Sequence, residues 1–194
     1  MSRLKILVIL ANPTYKLDKR GNLLNYICKE FVQVLSNKPD VIVDIIDIFQ
    51  EKNFNFLNTL EKEPESKVLE FQKKILDSEI VVFFYPVWQG FLPGVLKVFI
   101  DRVFSKGFAY NYVKKEIIPS LKDKKFLIFS TTNKPLWYHK LILKDTLKVF
   151  WQRVFEAKTG MKLIKFIYFT KIRSVKEKQI ENWYKKVIKI ADSL

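Results

Sequence analysis

The chain has 194 residues, 48% of them apolar, and its 35 Lys and Arg against 20 Asp and Glu give a net charge of +15. That length and apolar share are enough for one domain over residues 1–194 around a single core, and no repeat or low-complexity tract interrupts it. The lone cysteine excludes an internal disulfide; the lysines are scattered through every segment without a nucleic-acid motif, so the charge reads as solvated surface or as attraction for phosphorylated cofactors, and no nucleic-acid partner is expected, a nucleic-acid-binding role being a third reading that rests on the charge alone.

Met1-Ser2-Arg3-Leu4-Lys5 runs straight into a strand without signal-peptide organisation, and no apolar run reaches membrane-spanning length, so a cytoplasmic protein is expected. Leu4 to Leu10 is almost wholly apolar, the mark of a strand covered on both faces. Ala11 to Gly21 is a polar loop. From Asn22 a helix follows, with Leu24, Ile27, Cys28, Phe31, Val34 and Leu35 on one face, where Cys28 serves as a small core residue. Val41 to Phe49 alternates in part and reads as a second strand. A long connection then runs from Gln50 to Pro64, in which Phe54, Phe56 and Leu57 either pack locally or roof a pocket.

Ser66 to Asp77 is read as a helix with Val68, Phe71, Ile75 and Leu76 inward. Ile80 to Tyr85, rich in β-branched and aromatic residues, is a third buried strand, and Pro86 ends it. Pro93 suits the first turn of a helix, and Val95, Leu96, Phe99, Ile100 and Val103 follow at helical spacing. Asn111 to Asp123 reads as a connection, Lys125 to Thr131 as a fourth buried strand, Leu143 to Glu156 as a helix burying Leu147, Phe150, Trp151, Val154 and Phe155, and Met161 to Phe169 as a fifth strand. The last helix, Val175 to Leu194, turns Ile180, Trp183, Val187, Ile190 and Ala191 inward.

Strands alternating with helices argue for a doubly wound parallel sheet, and we expect the order 2-1-3-4-5. Its switch point lies between strands 1 and 3, so the loops after Leu10 and Tyr85 should flank one crevice, with the loop at Thr132 closing the other side. The loop Val87-Trp88-Gln89-Gly90-Phe91-Leu92 would offer a flat ring, an amide and backbone N–H groups, which suits a planar aromatic ligand. The loop Asn12 to Asn22 precedes a helix N-terminus and carries Lys16, Lys19 and Arg20, which suits a phosphate.

The segment PVWQGFLPGVLKVFIDRVFSKGFAY, Pro86 to Tyr110, resembles the flavin-contacting segment of the flavodoxin-like NAD(P)H:quinone oxidoreductases. Pro86, Trp88, Gly90, Pro93, Leu96, Lys97, Asp101, Arg102, Val103, Gly107, Phe108, Ala109 and Tyr110 fall in register with that family's pattern, whereas Gln89 stands where the family usually places an aromatic residue. Pro13 and Asn22 match a second, weaker motif, in which Asn12 replaces the usual histidine and Lys19 a hydroxyl residue. Ser130 to Lys134 resembles a third, with Asn133 and Lys134 in place of small residues.

The resemblance implies a flavodoxin-like fold and a flavoprotein, with FMN or alternatively FAD, that takes electrons from NAD(P)H and passes them to a quinone-like acceptor by a ping-pong cycle. It implies that Pro86, Val87, Trp88, Gln89 and Gly90 hold the isoalloxazine, that Thr131, Thr132, Asn133 and Lys134 meet its pyrimidine end, and that Asn12, Lys16, Lys19, Arg20 and Asn22 serve the phosphate side. Lys134 either stabilises negative charge on the flavin or points to water. Tyr138 and His139 are the catalytic candidates, as hydrogen-bond donors to a quinone oxygen; the alternative is a partly exposed loop aromatic and a solvated histidine. No metal is implied. A homodimer is expected from the family and from the aromatic tract Phe99 to Tyr112. Some relatives are ancillary subunits of glutathione-gated potassium efflux systems, which would make a membrane transporter the partner.

Overall fold

The computed structural model describes residues 3–13, 22–51 and 64–194. Five parallel strands form the main sheet: β1 (Leu4–Leu10), β2 (Val41–Asp47), β3 (Ile80–Pro86), β6 (Lys125–Thr132) and β7 (Lys162–Thr170). Their order is β2-β1-β3-β6-β7, the doubly wound order expected. β3 lies at the centre, and all seven of its residues are buried, which is why its sequence carries no polar alternation.

The twofold period of a strand splits the core in two. Ile6, Val8, Val82, Phe84, Leu127 and Phe129 face α1 (Leu23–Ser36) and α6 (Glu177–Asp192). Leu7, Ile9, Val81, Phe83, Tyr85, Phe126 and Ile128 face α2 (Ser66–Asp77), α3 (Gly94–Val103) and the helical run that begins at Thr146. Aromatic rings fill both layers. Phe84 stacks on Phe129 at 4.7 Å on one side, and Phe83 meets Trp151 at 4.8 Å on the other.

Several local expectations are corrected. The segment read as a connection contains a two-stranded hairpin, β4 (Tyr110–Val113) with β5 (Glu116–Pro119). Its turn is Lys114–Lys115 at φ 48° and 71°, a pair of left-handed residues usually announced by Asn and Gly, so lysines there conceal the hairpin. In α2, Leu76 points to solvent and Gln72 points inward, its side-chain amide donating to the Val103 carbonyl at 3.0 Å.

The helical run comprises α4 (Thr146–Val149), a π-helical stretch Phe150–Glu156 and α5 (Ala157–Thr159). Leu147, Trp151 and Phe155 are buried as expected, but Val154 is exposed and Phe150 only half-buried, because π hydrogen bonding changes the angular step on which an α-helical face is counted. Phe99, Phe104 and Tyr110 of the aromatic tract pack into this chain's own core, which leaves Tyr112 as its exposed aromatic. Phe54, Phe56 and Leu57 lie outside the described residues. Among the described residues no helix is long and apolar enough to cross a membrane.

Candidate functional site

The carboxyl ends of β1, β3, β6 and β7 open onto one cleft of about 650 Å³, a volume in the range of small-molecule sites. Asn12, Pro86, Val87, Trp88, Gln89, Gly90, Thr131, Thr132, Asn133, Lys134, Tyr138 and His139, all singled out from sequence, line it together. Asn22 does not: it is the residue before the first turn of α1. Lys16, Lys19 and Arg20 lie outside the described residues. Leu143, Ile172 and Arg173 also line the cleft and were missed. Ile172 and Arg173 follow the carboxyl end of β7, so the same strand-end rule would have found them; no signal marks Leu143.

Parallel pairing sets the walls. Pro86 sits beside Thr131 in the β3–β6 register, and one further bond, Val87 N–H to the Thr131 carbonyl at 2.8 Å, ties the two loops at their roots. The β3 loop then folds into a miniature hairpin in which Trp88 and Phe91 exchange backbone hydrogen bonds of 3.0 and 2.9 Å. Gln89 (φ 49°) and Gly90 (φ 80°) form its tip. Two consecutive left-handed residues are what a tight two-residue hairpin needs, and glycine meets that need without the cost of a Cβ. Trp88 is 39% exposed and meets Phe49 edge-on at 6.4 Å. Among the described residues the N–H groups of Gln89 and Gly90 have no protein partner.

The β6 side is built differently. Thr132 Oγ1 is 2.9 Å from His139 Nε2 and accepts the Lys134 N–H at 3.2 Å. His139 sits in a π-helical turn, Tyr138–Ile142, and is only 2% exposed, which corrects the solvated histidine offered as its alternative. Its ring stacks on Tyr168 at 5.0 Å, and the Tyr168 hydroxyl donates to Asp145 at 3.1 Å. Burial lowers the His139 pKa, partly opposed by Asp145, and the imidazole is neutral at pH 7. Tyr168 is shifted up by burial and by Asp145, and remains protonated. Lys134 Nζ lies 5.1 Å over the Tyr138 ring, a cation–π contact. On the β1 side, the buried Asn12 amide donates to Asn25 Oδ1 at 2.7 Å.

The cleft therefore joins an indole wall, two N–H donors at a turn, a cluster of threonine and asparagine at the opposite wall, and the cationic residues Lys134 and Arg173, with no carboxylate among its described lining residues. A flat, hydrogen-bonding, anionic molecule fits that donor set: a flavin phosphate meets each requirement. Among the described residues no group of three or more His, Cys, Asp or Glu could hold a metal ion.

A profile of the Flavodoxin_2 family, described as a flavodoxin-like fold, matches residues 4–191. A ribosyldihydronicotinamide dehydrogenase [quinone] of Rattus norvegicus is 36% identical over 67 residues, 34% of this chain and 29% of that enzyme. An FMN-dependent NADH:quinone oxidoreductase of Caldicellulosiruptor saccharolyticus is 23% identical over 128 residues, 62% of this chain and 64% of that enzyme. The chain thus matches less than two thirds of either enzyme's length. Among solved structures, Smu.1420 from Streptococcus mutans UA159 superposes with a TM-score of 0.83 at 20% identity, covering 98% of this chain and 100% of that one, and so shares the fold.

Proposed function

This chain belongs to the Flavodoxin_2 family, and on that premise we propose that it is a flavin-dependent NAD(P)H oxidoreductase, a single flavodoxin-like unit acting in the cytoplasm that transfers two electrons to quinones or related acceptors. FMN is the cofactor proposed, in line with the name of the Caldicellulosiruptor relative, and FAD is the alternative. The observation that carries the reading is the convergence of the Trp88 hairpin and the Thr131 to Lys134 segment on one cleft at the sheet's switch point.

A bound flavin would supply the redox chemistry, two-electron transfer from NAD(P)H to the acceptor, and the cycle proposed is ping-pong. The protein's share is placement and charge. Trp88 offers a face, and the Gln89 and Gly90 N–H groups donate to ring acceptors. Thr131, Thr132 and Asn133 hold the polar end, Lys134 compensates negative charge there, and Asn12 with the loop from Lys16 to Asn22 serves the phosphate side. Tyr138 and His139 are proposed as hydrogen-bond donors to an acceptor oxygen, Tyr138 through its hydroxyl and His139 through the one ring N–H that its neutral form carries. A homodimer is part of the proposal. So is broad acceptor use, since an amide at Gln89 leaves more room over the ring than an aromatic side chain would.

The test is an absorption scan of purified protein, mass identification of released cofactor, and NAD(P)H-driven quinone reduction. A yellow protein that releases FMN and turns over supports the reading. A colourless protein that neither FMN nor FAD reconstitutes overturns it. If the protein instead acts as the ancillary subunit of a potassium efflux system, it will co-purify with a membrane transporter.

A further inference from the structure

A second groove, of about 400 Å³, runs along the outer side of β7 and stands apart from the flavin proposal. Six consecutive strand residues, Leu163 to Tyr168, line it. Successive side chains of a strand point to opposite faces, so one groove can touch all six only by lying against the strand's edge. β7 is the last strand of the sheet, with β6 on one side only. Half of its backbone N–H and C=O groups therefore face outward, and among the described residues none of Leu163 to Phe169 pairs with a backbone group beyond the β6 ladder.

The rim of the groove is basic. Lys165 comes from β7 itself, Lys140 from the π-helical turn, Lys148 from α4 and Lys186 from α6. All four are exposed, and among the described residues none makes an ion pair. The one carboxylate among the described lining residues, Asp145, accepts the Tyr168 hydroxyl. A lysine on an edge strand commonly serves to repel other strands. That accounts for Lys165. It does not account for three more lysines brought to the same groove by helices of both flanking layers, which surround the open edge with charge and leave the edge itself accessible. Leu136 and Ile164, 40% and 43% exposed, add apolar contacts within the groove.

We propose that the edge of β7 is a docking site for an acidic peptide segment, which adds to the sheet as an extended strand. Its backbone completes the ladder on β7, its carboxylates meet Lys140, Lys148, Lys165 and Lys186, and alternate apolar side chains cover Ile164 and Leu136. Only the peptide backbone explains use of the edge; the lysines select its charge.

The test uses the full chain and a labelled nine-residue peptide of alternating Glu and Val, matched to the length of β7. Anisotropy is read at about 0.1 M salt, against a peptide with Pro in place of every Val and a single-stranded oligonucleotide of equal charge. Saturable binding of the Glu–Val peptide, weakened about tenfold or more in the Pro version, is expected, because proline cannot donate to a ladder. The double variant Lys148→Glu/Lys186→Glu should lose about tenfold in affinity while keeping its thermal midpoint. Amide exchange at Leu163 to Tyr168 should slow only with the Glu–Val peptide. Equal binding of both peptides, displacement by the oligonucleotide, absent saturation, or unchanged exchange along β7 would each overturn the proposal.

Discussion

The Thr132 hydroxyl lies 2.9 Å from Nε2 of His139 while its oxygen accepts the Lys134 N–H. The hydroxyl can give to Nε2 in the neutral tautomer that leaves this nitrogen bare, or accept from it in the other. Protonating the imidazole leaves Nε2 a donor in either case and places a cation in a site 2% exposed.

The pH dependence follows. The pKa of His139 is lower in the folded chain than in the unfolded one, so its contribution to stability is present above the unfolded value of about 6.5 and is lost as pH falls from there through the folded value. Denaturant midpoints should drop as pH falls below about 6.5, and His139→Gln should flatten that drop. As the chain holds one histidine, a single imidazole resonance reports the titration directly. A midpoint of that resonance at or above about 6.5 would contradict the assignment.

Tyr85 and Trp151 are both fully buried, and the indole N–H donates to the Tyr85 hydroxyl at 2.8 Å. Tyr85→Phe removes the acceptor and keeps the ring, so urea unfolding should show a loss of about 1–3 kcal/mol from the orphaned indole N–H. A loss within error of zero would mean that the donor finds another acceptor.

Gly160 adopts φ 82°, and a Cβ there would lie 2.8 Å from both Pro119 Cβ and Lys122 Cγ. Gly160→Ala should therefore cost more than the ~1–2 kcal/mol of a left-handed alanine alone. Its thermal midpoint should fall further than that of Gly90→Ala, where the closest atom to the new Cβ is Leu143 Cδ1 at 3.4 Å.

Gln89 shares the tip of the Trp88 hairpin with Gly90 and lines the cleft. Gln89→Trp should tighten flavin binding and narrow the range of quinones reduced, by filling space over the ring. Flavin titration by fluorescence quenching and an acceptor panel read both effects. If neither changes in a folded variant, Gln89 is not part of the cofactor wall.

Light scattering at micromolar protein should give a homodimer. Because Phe99, Phe104 and Tyr110 are spent inside the chain, the exposed Tyr112, Val113, Ile117 and Ile118 of the β4–β5 hairpin are the apolar surface offered to a second copy. Tyr112→Ser/Ile117→Ser should shift the population toward monomer, and a wild-type chain that is already monomeric would dispose of the idea.

By itself the sequence determined the sheet. Leu4 to Leu10, Ile80 to Tyr85 and Lys125 to Thr131 could be read as strands because burial on both faces removes polar alternation from each, and that signal is local. The cleft was legible for the same reason at one remove: a doubly wound order brings the carboxyl ends of β1, β3 and β6 together, so Asn12, Trp88 and Thr132 meet whatever their side chains are. Tertiary structure alone decided the rest. His139 is buried because Tyr168, distant in sequence, stacks on it, and Val154 is exposed because π hydrogen bonding rotates the face on which it falls. The lysines around β7 come from a turn, two helices and a strand, and become one rim only after the layers close over the sheet edge. A periodic pattern records which face a residue turns to its own element's neighbours. It carries no record of which distant residue packs there, because that depends on contacts formed between elements after each has its local shape.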